Sequence, residues 1–124
     1  MTHFLLVFLG GGLGAALRHG VNLAALRAGT TFPYGTLCIN VVGSLVMGMV
    51  VSWFALRSGL SPSLRLFLTT GVLGGFTTFS AFSLEAALLY ERGEPGLAVV
   101  YVVASVVLAI GGLFAGMGLV RAVL

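Results

Sequence analysis

The sequence predicts an all-α membrane protein of four transmembrane helices, the third of them broken at mid-membrane. Three observations carry that prediction. Of the 124 residues 59% are hydrophobic and only 7% charged, and the mean hydropathy is +1.16, more apolar surface than a water-soluble domain can cover with polar groups. A spanning helix needs roughly 20 apolar residues, so the chain has room for four short-looped helices and no separate soluble domain. One apolar segment is also interrupted by a glycine- and threonine-rich run that suits a continuous helix poorly.

The first span runs over about 3–26. Its opening, MTHFLLVFLGGGLGAAL, lacks the Lys/Arg of a signal peptide's n-region and continues smoothly to Arg18, so it reads as a spanning helix. The segment is apolar early and polar late, carrying Arg18, His19 and Asn22, and residues 27–33 form a loop around Gly29 and Pro33. The second span, about 34–56, contains Thr36 and Asn40 and ends with Trp53 near Arg57, as expected at an interface. Residues 57–65, with Gly59 and Pro62, read as the next loop.

The third span, about 66–90, has a middle that runs from Thr69-Thr70-Gly71 through Gly74-Gly75-Phe76-Thr77-Thr78 to Ser83. Gly costs about 1 kcal/mol against Ala inside a helix, and Thr hydroxyls compete for backbone hydrogen bonds. The fourth, about 95–120, starts on Pro95, a good first-turn residue, and has Tyr101 and Ser105 as its polar members. Small residues four apart recur at Gly10/Gly14, Ser44/Gly48, Gly71/Gly75 and Gly112/Gly116. They permit close helix contact, within or between subunits, so Gly75→Val is expected to crowd the break and weaken assembly.

The basic residues are all Arg, at 18, 27, 57, 65, 92 and 121, and the acids are Glu85, Glu91 and Glu94. No basic run offers a footprint for nucleic acid. Arg57, Arg65 and Arg121 fall on the side of the termini and second loop, against Arg27 and Arg92 on the other. A bias of three against two specifies orientation weakly, which allows insertion both ways and hence an antiparallel homodimer.

Polar groups at membrane depth are costly and therefore informative. Here they are amides and hydroxyls, namely Thr36, Asn40, Thr69, Thr70, Thr77, Thr78, Ser80, Ser83, Tyr101 and Ser105, with Arg18. No carboxylate lies near the middle of a span; Glu85 falls toward the end of the third, a position from which it could face a vestibule. A proton-coupled exporter or cation pump needs such a carboxylate, whereas N–H and O–H donors suit an anion that has lost its water. Phe79 and Phe82, three apart, share a helix face with Glu85. Ring edges carry the positive part of the quadrupole, so two edge-on rings line an anion's route without binding it tightly; the plainer reading is that both rings fill the bundle.

Plainer readings also stand for the other groups: Asn40 as an interhelical hydrogen bond, Arg18 as a snorkelling anchor, Tyr101 and Ser105 as helix–helix glue. Cys38, the single cysteine, reads as a packing residue, and His3 and His19 are too isolated to be metal ligands. Gly10, Gly12 and Ala15 fit a dinucleotide-binding spacing, but no strand precedes them and no acid follows at the right distance. In the broken span, freed backbone carbonyls need a partner; in transporters such carbonyls coordinate sodium. A two-fold dimer brings two breaks together to cage one cation, with a structural role.

Three blocks in order give the chain a resemblance. They are Gly11-Gly12-Leu13-Gly14-Ala15-Ala16-Leu17-Arg18, Pro33-Tyr34-Gly35-Thr36-Leu37-Cys38-Ile39-Asn40-Val41-Val42-Gly43-Ser44, and Gly71-Val72-Leu73-Gly74-Gly75-Phe76-Thr77-Thr78-Phe79-Ser80-Ala81-Phe82. With these the chain resembles, over nearly its whole length, the small fluoride channels of the Fluc/CrcB family. The resemblance implies an antiparallel dual-topology homodimer in the cell (cytoplasmic, inner) membrane, with two fluoride pores and a central sodium ion. It implies Asn40 as the pore amide, Phe79 and Phe82 as lining rings, and Thr36, Tyr101 and Ser105 as further polar lining. Arg18 and Glu85 take vestibule positions, and the carbonyls of Gly74 and Thr77 hold the sodium. His19 stands where the family often has Tyr, and Ala81 where a hydroxyl is frequent. The family also supplies the purpose, since hydrogen fluoride crosses membranes, ionises at neutral pH and is trapped, so that a passive exit is useful.

Two other readings compete. A small multidrug exporter needs a carboxylate in its first span, and the first acid here is Glu85. In a non-transporting membrane assembly subunit the polar groups are packing glue. Neither predicts the break, and neither reading, nor the channel, is an enzyme.

Overall fold

A computed structural model describes all residues, Met1–Leu124. It is helical throughout, with four helices long and apolar enough to cross a membrane: Thr2–Leu26, Tyr34–Leu56, Pro62–Glu91 and Pro95–Val123. The loops between them turn at Gly29, Gly59 and Gly93, with φ of 67°, 84° and 81°, the left-handed region that glycine enters without steric cost.

The third span starts earlier than its hydropathy suggests. Ser61 caps it by accepting hydrogen bonds from the N–H groups of Ser63 and Leu64 at 3.2 and 3.4 Å, and Pro62 occupies the first turn. The loop therefore shrinks to 57–61, because a serine cap and an N-terminal proline initiate the helix that the polar residues around them appeared to exclude. From Phe67 to Leu73 the winding is π-helical, a wider turn often met at functional sites. Thr69 assists by donating its hydroxyl to the Arg65 carbonyl at 2.8 Å.

The break is shorter than the sequence suggests and lies at the threonines. Thr77 (φ −81°, ψ 158°) and Thr78 (φ −151°, ψ 124°) are extended, a conformation that suits β-branched side chains. They divide the span into a first arm, 62–76, and a second arm, Phe79–Glu91. Gly71, Gly74 and Gly75, read above as part of the interruption, remain helical.

Two of those glycines serve close approach. A Cβ on Gly75 would fall inside the van der Waals radius of the Gly11 carbonyl oxygen, and one on Gly71 would lie 3.1 Å from the Gly10 Cα. Gly14 likewise lets the first span's backbone meet the Val72 carbonyl. The same device joins the second and fourth spans, where Gly48 faces the Leu113 carbonyl and Gly116 the Leu45 carbonyl. The small-residue stripes thus pair the first span with the third and the second with the fourth inside one chain. Gly43 adds room for the Thr77 methyl group, which seats the break against the second span.

Side chains close the interior where the second arm meets the fourth span. Phe82, Leu89, Ala98 and Tyr101 form the buried cluster, with Phe32, Leu37 and Ala86 packed against it. Large apolar side chains such as Phe8, Val99, Val107 and Phe114 point outward, as a bilayer-facing surface requires.

Candidate ion pathway

The break exposes backbone groups that must be satisfied away from water, and the second span supplies one partner. The Asn40 carboxamide accepts the Thr78 N–H at 2.9 Å and donates to the Thr78 carbonyl at 3.0 Å. The amide thus pairs with Thr78 as a neighbouring strand would. One of its two N–H groups remains, and Asn40 lines a groove of about 340 Å³ together with Ser44, Met47, Thr77, Phe79, Phe82 and Ser105. No charged residue lines this groove.

Phe79, 78% exposed, stands at the groove and Phe82 is buried behind it. Their ring centroids are 5.5 Å apart, and Phe82 in turn lies 5.2 Å from Tyr101. Phe32 continues the aromatic row, edge-on to Tyr101 at 5.6 Å and 84°. Tyr101 and Ser105, one turn apart on the fourth span, are buried; the Ser105 hydroxyl has no protein partner, and that of Tyr101 lies near Thr36 without a well-formed hydrogen bond. Buried unpaired hydroxyls are uncommon because each forfeits its hydrogen bonds with water.

Beyond this row lies a second cavity of about 390 Å³, bounded by the end of the first span, the loop before the second, and the second arm. Its polar lining includes His19, Asn22, Thr36, Glu85 and Arg92. Thr36 is buried and donates its hydroxyl to Glu85 Oε1 at 2.6 Å. The structure therefore gathers Asn40, Phe79, Phe82 and Ser105 at the groove, Thr36 and Glu85 at the outer cavity, and Tyr101 between. Arg18 lines neither space. Its Nε donates to the Gly75 carbonyl at 3.2 Å, tying the first span to the turn before the break.

Gly74 and Thr77 lie where helical pairing fails. The Thr78 N–H that would pair with the Gly74 carbonyl goes to Asn40, and the Ala81 N–H that would pair with the Thr77 carbonyl goes to Thr78 Oγ1 at 3.2 Å. Neither carbonyl receives another hydrogen bond. Gly74 is exposed on the isolated chain. Bare carbonyls of this kind fit a hard cation such as sodium.

Several residues of these spaces had no site role assigned from sequence. Asn22 and Arg92 reach the outer cavity because the 27–33 loop and the end of the second arm converge there. Phe32 sits in that loop, where apolar periodicity carries no signal. Thr78 had a legible one: a threonine three residues before the Ala81 N–H that it caps, at the start of an apolar helix.

Comparison with known proteins adds independent findings. A profile of the family described as CrcB-like protein, Camphor Resistance (CrcB), matches residues 5–117. The fluoride-specific ion channel FluC of Rhodopseudomonas palustris (strain BisB5) is 64% identical over 121 residues, covering 97% of this chain and 98% of that protein. The fluoride-specific ion channel FluC 2 of Nitrobacter hamburgensis is 62% identical over 120 residues, covering 96% and 97%. That of Methylobacterium nodulans is 58% identical over 121 residues, covering 98% of both.

Proposed function

Because the chain belongs to the CrcB family, we propose that it is a passive, fluoride-selective channel that lets cytoplasmic fluoride leave across the inner membrane. The observation that carries this reading is the pair of buried hydroxyls on the fourth span, that of Ser105 lining the groove with Asn40 and that of Tyr101 lying between this groove and the cavity with Glu85. An anion crossing the bundle needs donors to replace its water, and these groups donate without carrying a charge that would trap it. The free N–H of Asn40 serves the ion at the groove, the edges of Phe79 and Phe82 flank its path, and the Tyr101 and Ser105 hydroxyls turn toward it in sequence. At Thr36 the ion competes with Glu85 for a single hydroxyl proton, so release into the outer cavity is aided by the returning Thr36–Glu85 bond. This is conduction and not catalysis.

The working unit is an antiparallel homodimer with two such routes. Phe79 and the bare Gly74 carbonyl lie on a surface that one chain leaves uncovered, and a second copy supplies cover. Gly74 and Thr77 from both chains would hold one sodium ion, which supplies fixed positive charge at the seam; the fit rests on their unpaired carbonyls. Reporter tags placed after Leu124 are expected to read both sides of the membrane, and a single side would exclude dual topology.

Fluoride release from vesicles containing the purified protein tests the pathway. Phe82→Ile is expected to slow release by about two- to tenfold, the equivalent of losing one aromatic-edge interaction of about 0.5–1.5 kcal/mol, with the dimer intact. Unchanged release would remove this ring from the route.

A further inference from the structure

Two side chains spend their hydrogen bonds on N–H groups that a continuous third helix would have used. Asn40 Oδ1 takes the N–H of Thr78 at 2.9 Å, and Thr78 Oγ1 takes the N–H of Ala81 at 3.2 Å. In an unbroken helix those N–H groups would pair with the carbonyls of Gly74 and Thr77, four residues back. The last regular bond before the break is intact, since the Leu73 carbonyl accepts both the Thr77 N–H and the Thr77 hydroxyl at 3.0 Å. The Gly75 carbonyl is also covered, by Arg18. The unpaired carbonyls of Gly74 and Thr77 are therefore a consequence of where Asn40 and Thr78 place their side chains.

We infer that Asn40 and Thr78 form a latch that holds the third span open and keeps the Gly74 and Thr77 carbonyls available to a cation, so that one residue, Asn40, serves both the anion route and the cation seat. This rests on the channel reading above. Thr78 also lines the groove, and in the latch it is a positioning residue, acting through its hydroxyl on the Ala81 N–H and through its backbone on Asn40. Without its hydroxyl, rewinding through 77–78 becomes the remaining way to pair the Ala81 N–H, and rewinding returns the Gly74 and Thr77 carbonyls to helical donors. The latch also joins the two sites physically. The Thr78 carbonyl, beside the bare ones, holds the Nδ2 group of Asn40 at 3.0 Å and so fixes where its remaining N–H points. A bound cation, by opposing rewinding, would steady that N–H in the groove.

The test reads sodium dependence of assembly, not ion flux. Thermal stability of the purified dimer is measured as sodium chloride replaces N-methylglucamine chloride at fixed ionic strength. Wild type is expected to gain stability with sodium. For Thr78→Val the sodium concentration giving half the effect is expected to rise about tenfold or more, because a rewound span must reopen before its carbonyls can meet the cation. Thr78→Ser, which keeps the hydroxyl, is expected to restore the wild-type midpoint. A merely structural role would lower stability at every sodium concentration and leave the midpoint in place. Asn40→Leu frees the other N–H and provides the same reading if Thr78→Val yields no folded dimer. A wild type that responds to sodium while Thr78→Val or Asn40→Leu keeps its midpoint overturns the latch alone. A wild type indifferent to sodium overturns the cation seat, and the latch's role in it with it.

Discussion

Gly75→Val is expected to leave no properly packed chain to purify, and the loss should be one of folding before it is one of association. Gly75 faces the backbone of Gly11 so closely that even a Cβ would overlap the Gly11 carbonyl oxygen. That carbonyl belongs to a helix and cannot swing aside as a flexible side chain would. The two spans must separate, and separation also withdraws Gly71 from Gly10 and Gly14 from Val72. Overpacking costs about 1–3 kcal/mol where side chains can adjust, and more where backbone meets backbone. Without lipid-exclusion forces between helices, such close contacts are a main source of bundle stability. Size-exclusion chromatography with near-ultraviolet circular dichroism in detergent checks this. A variant that runs as a folded monomer with wild-type aromatic signals would contradict it and place the contact between subunits.

Asn40→Leu is expected to abolish measurable fluoride passage, with a fall of about a hundredfold or more. Leucine nearly matches asparagine in size, yet it leaves both the N–H and the carbonyl of Thr78 without a partner. Each unpaired buried group costs about 1–3 kcal/mol. The groove loses its one amide donor in the same step. The check is ion-selective electrode recording of fluoride release from vesicles, with dimer content measured in parallel. Release at more than a tenth of the wild-type rate would show that the carboxamide is dispensable.

The sequence made the helical architecture readable because the bilayer demands long apolar segments and leaves few alternatives. Thr36, Asn40, Tyr101 and Ser105 stood out for the same reason, as donors in hydrocarbon. The start of the third span was harder, since Ser61 and Pro62 look like loop residues until a cap is recognised. The break was displaced by a physical ambiguity in glycine. Gly71 and Gly75 signal either a weak helix or a close contact, and here they are contacts, while the β-branched pair Thr77–Thr78 adopts the extended backbone. Arg18 was readable as a membrane-depth cation, but its partner, the Gly75 carbonyl 57 positions away, emerges only from the packing of the first span on the third. Pairings such as Asn40 with Thr78 and Thr36 with Glu85 are long-range, and no local pattern encodes them.

Ion flux from vesicles containing the purified protein bears most directly on the central claim. With an outward fluoride gradient and a potassium ionophore to balance charge, fluoride is expected to leave rapidly, while chloride under the same driving force stays inside. Release without a proton gradient or nucleotide would support passive conduction through the uncharged donors of the groove. Chloride leaving as fast as fluoride would contradict selectivity, and no fluoride release from vesicles with verified dimer would contradict the channel itself.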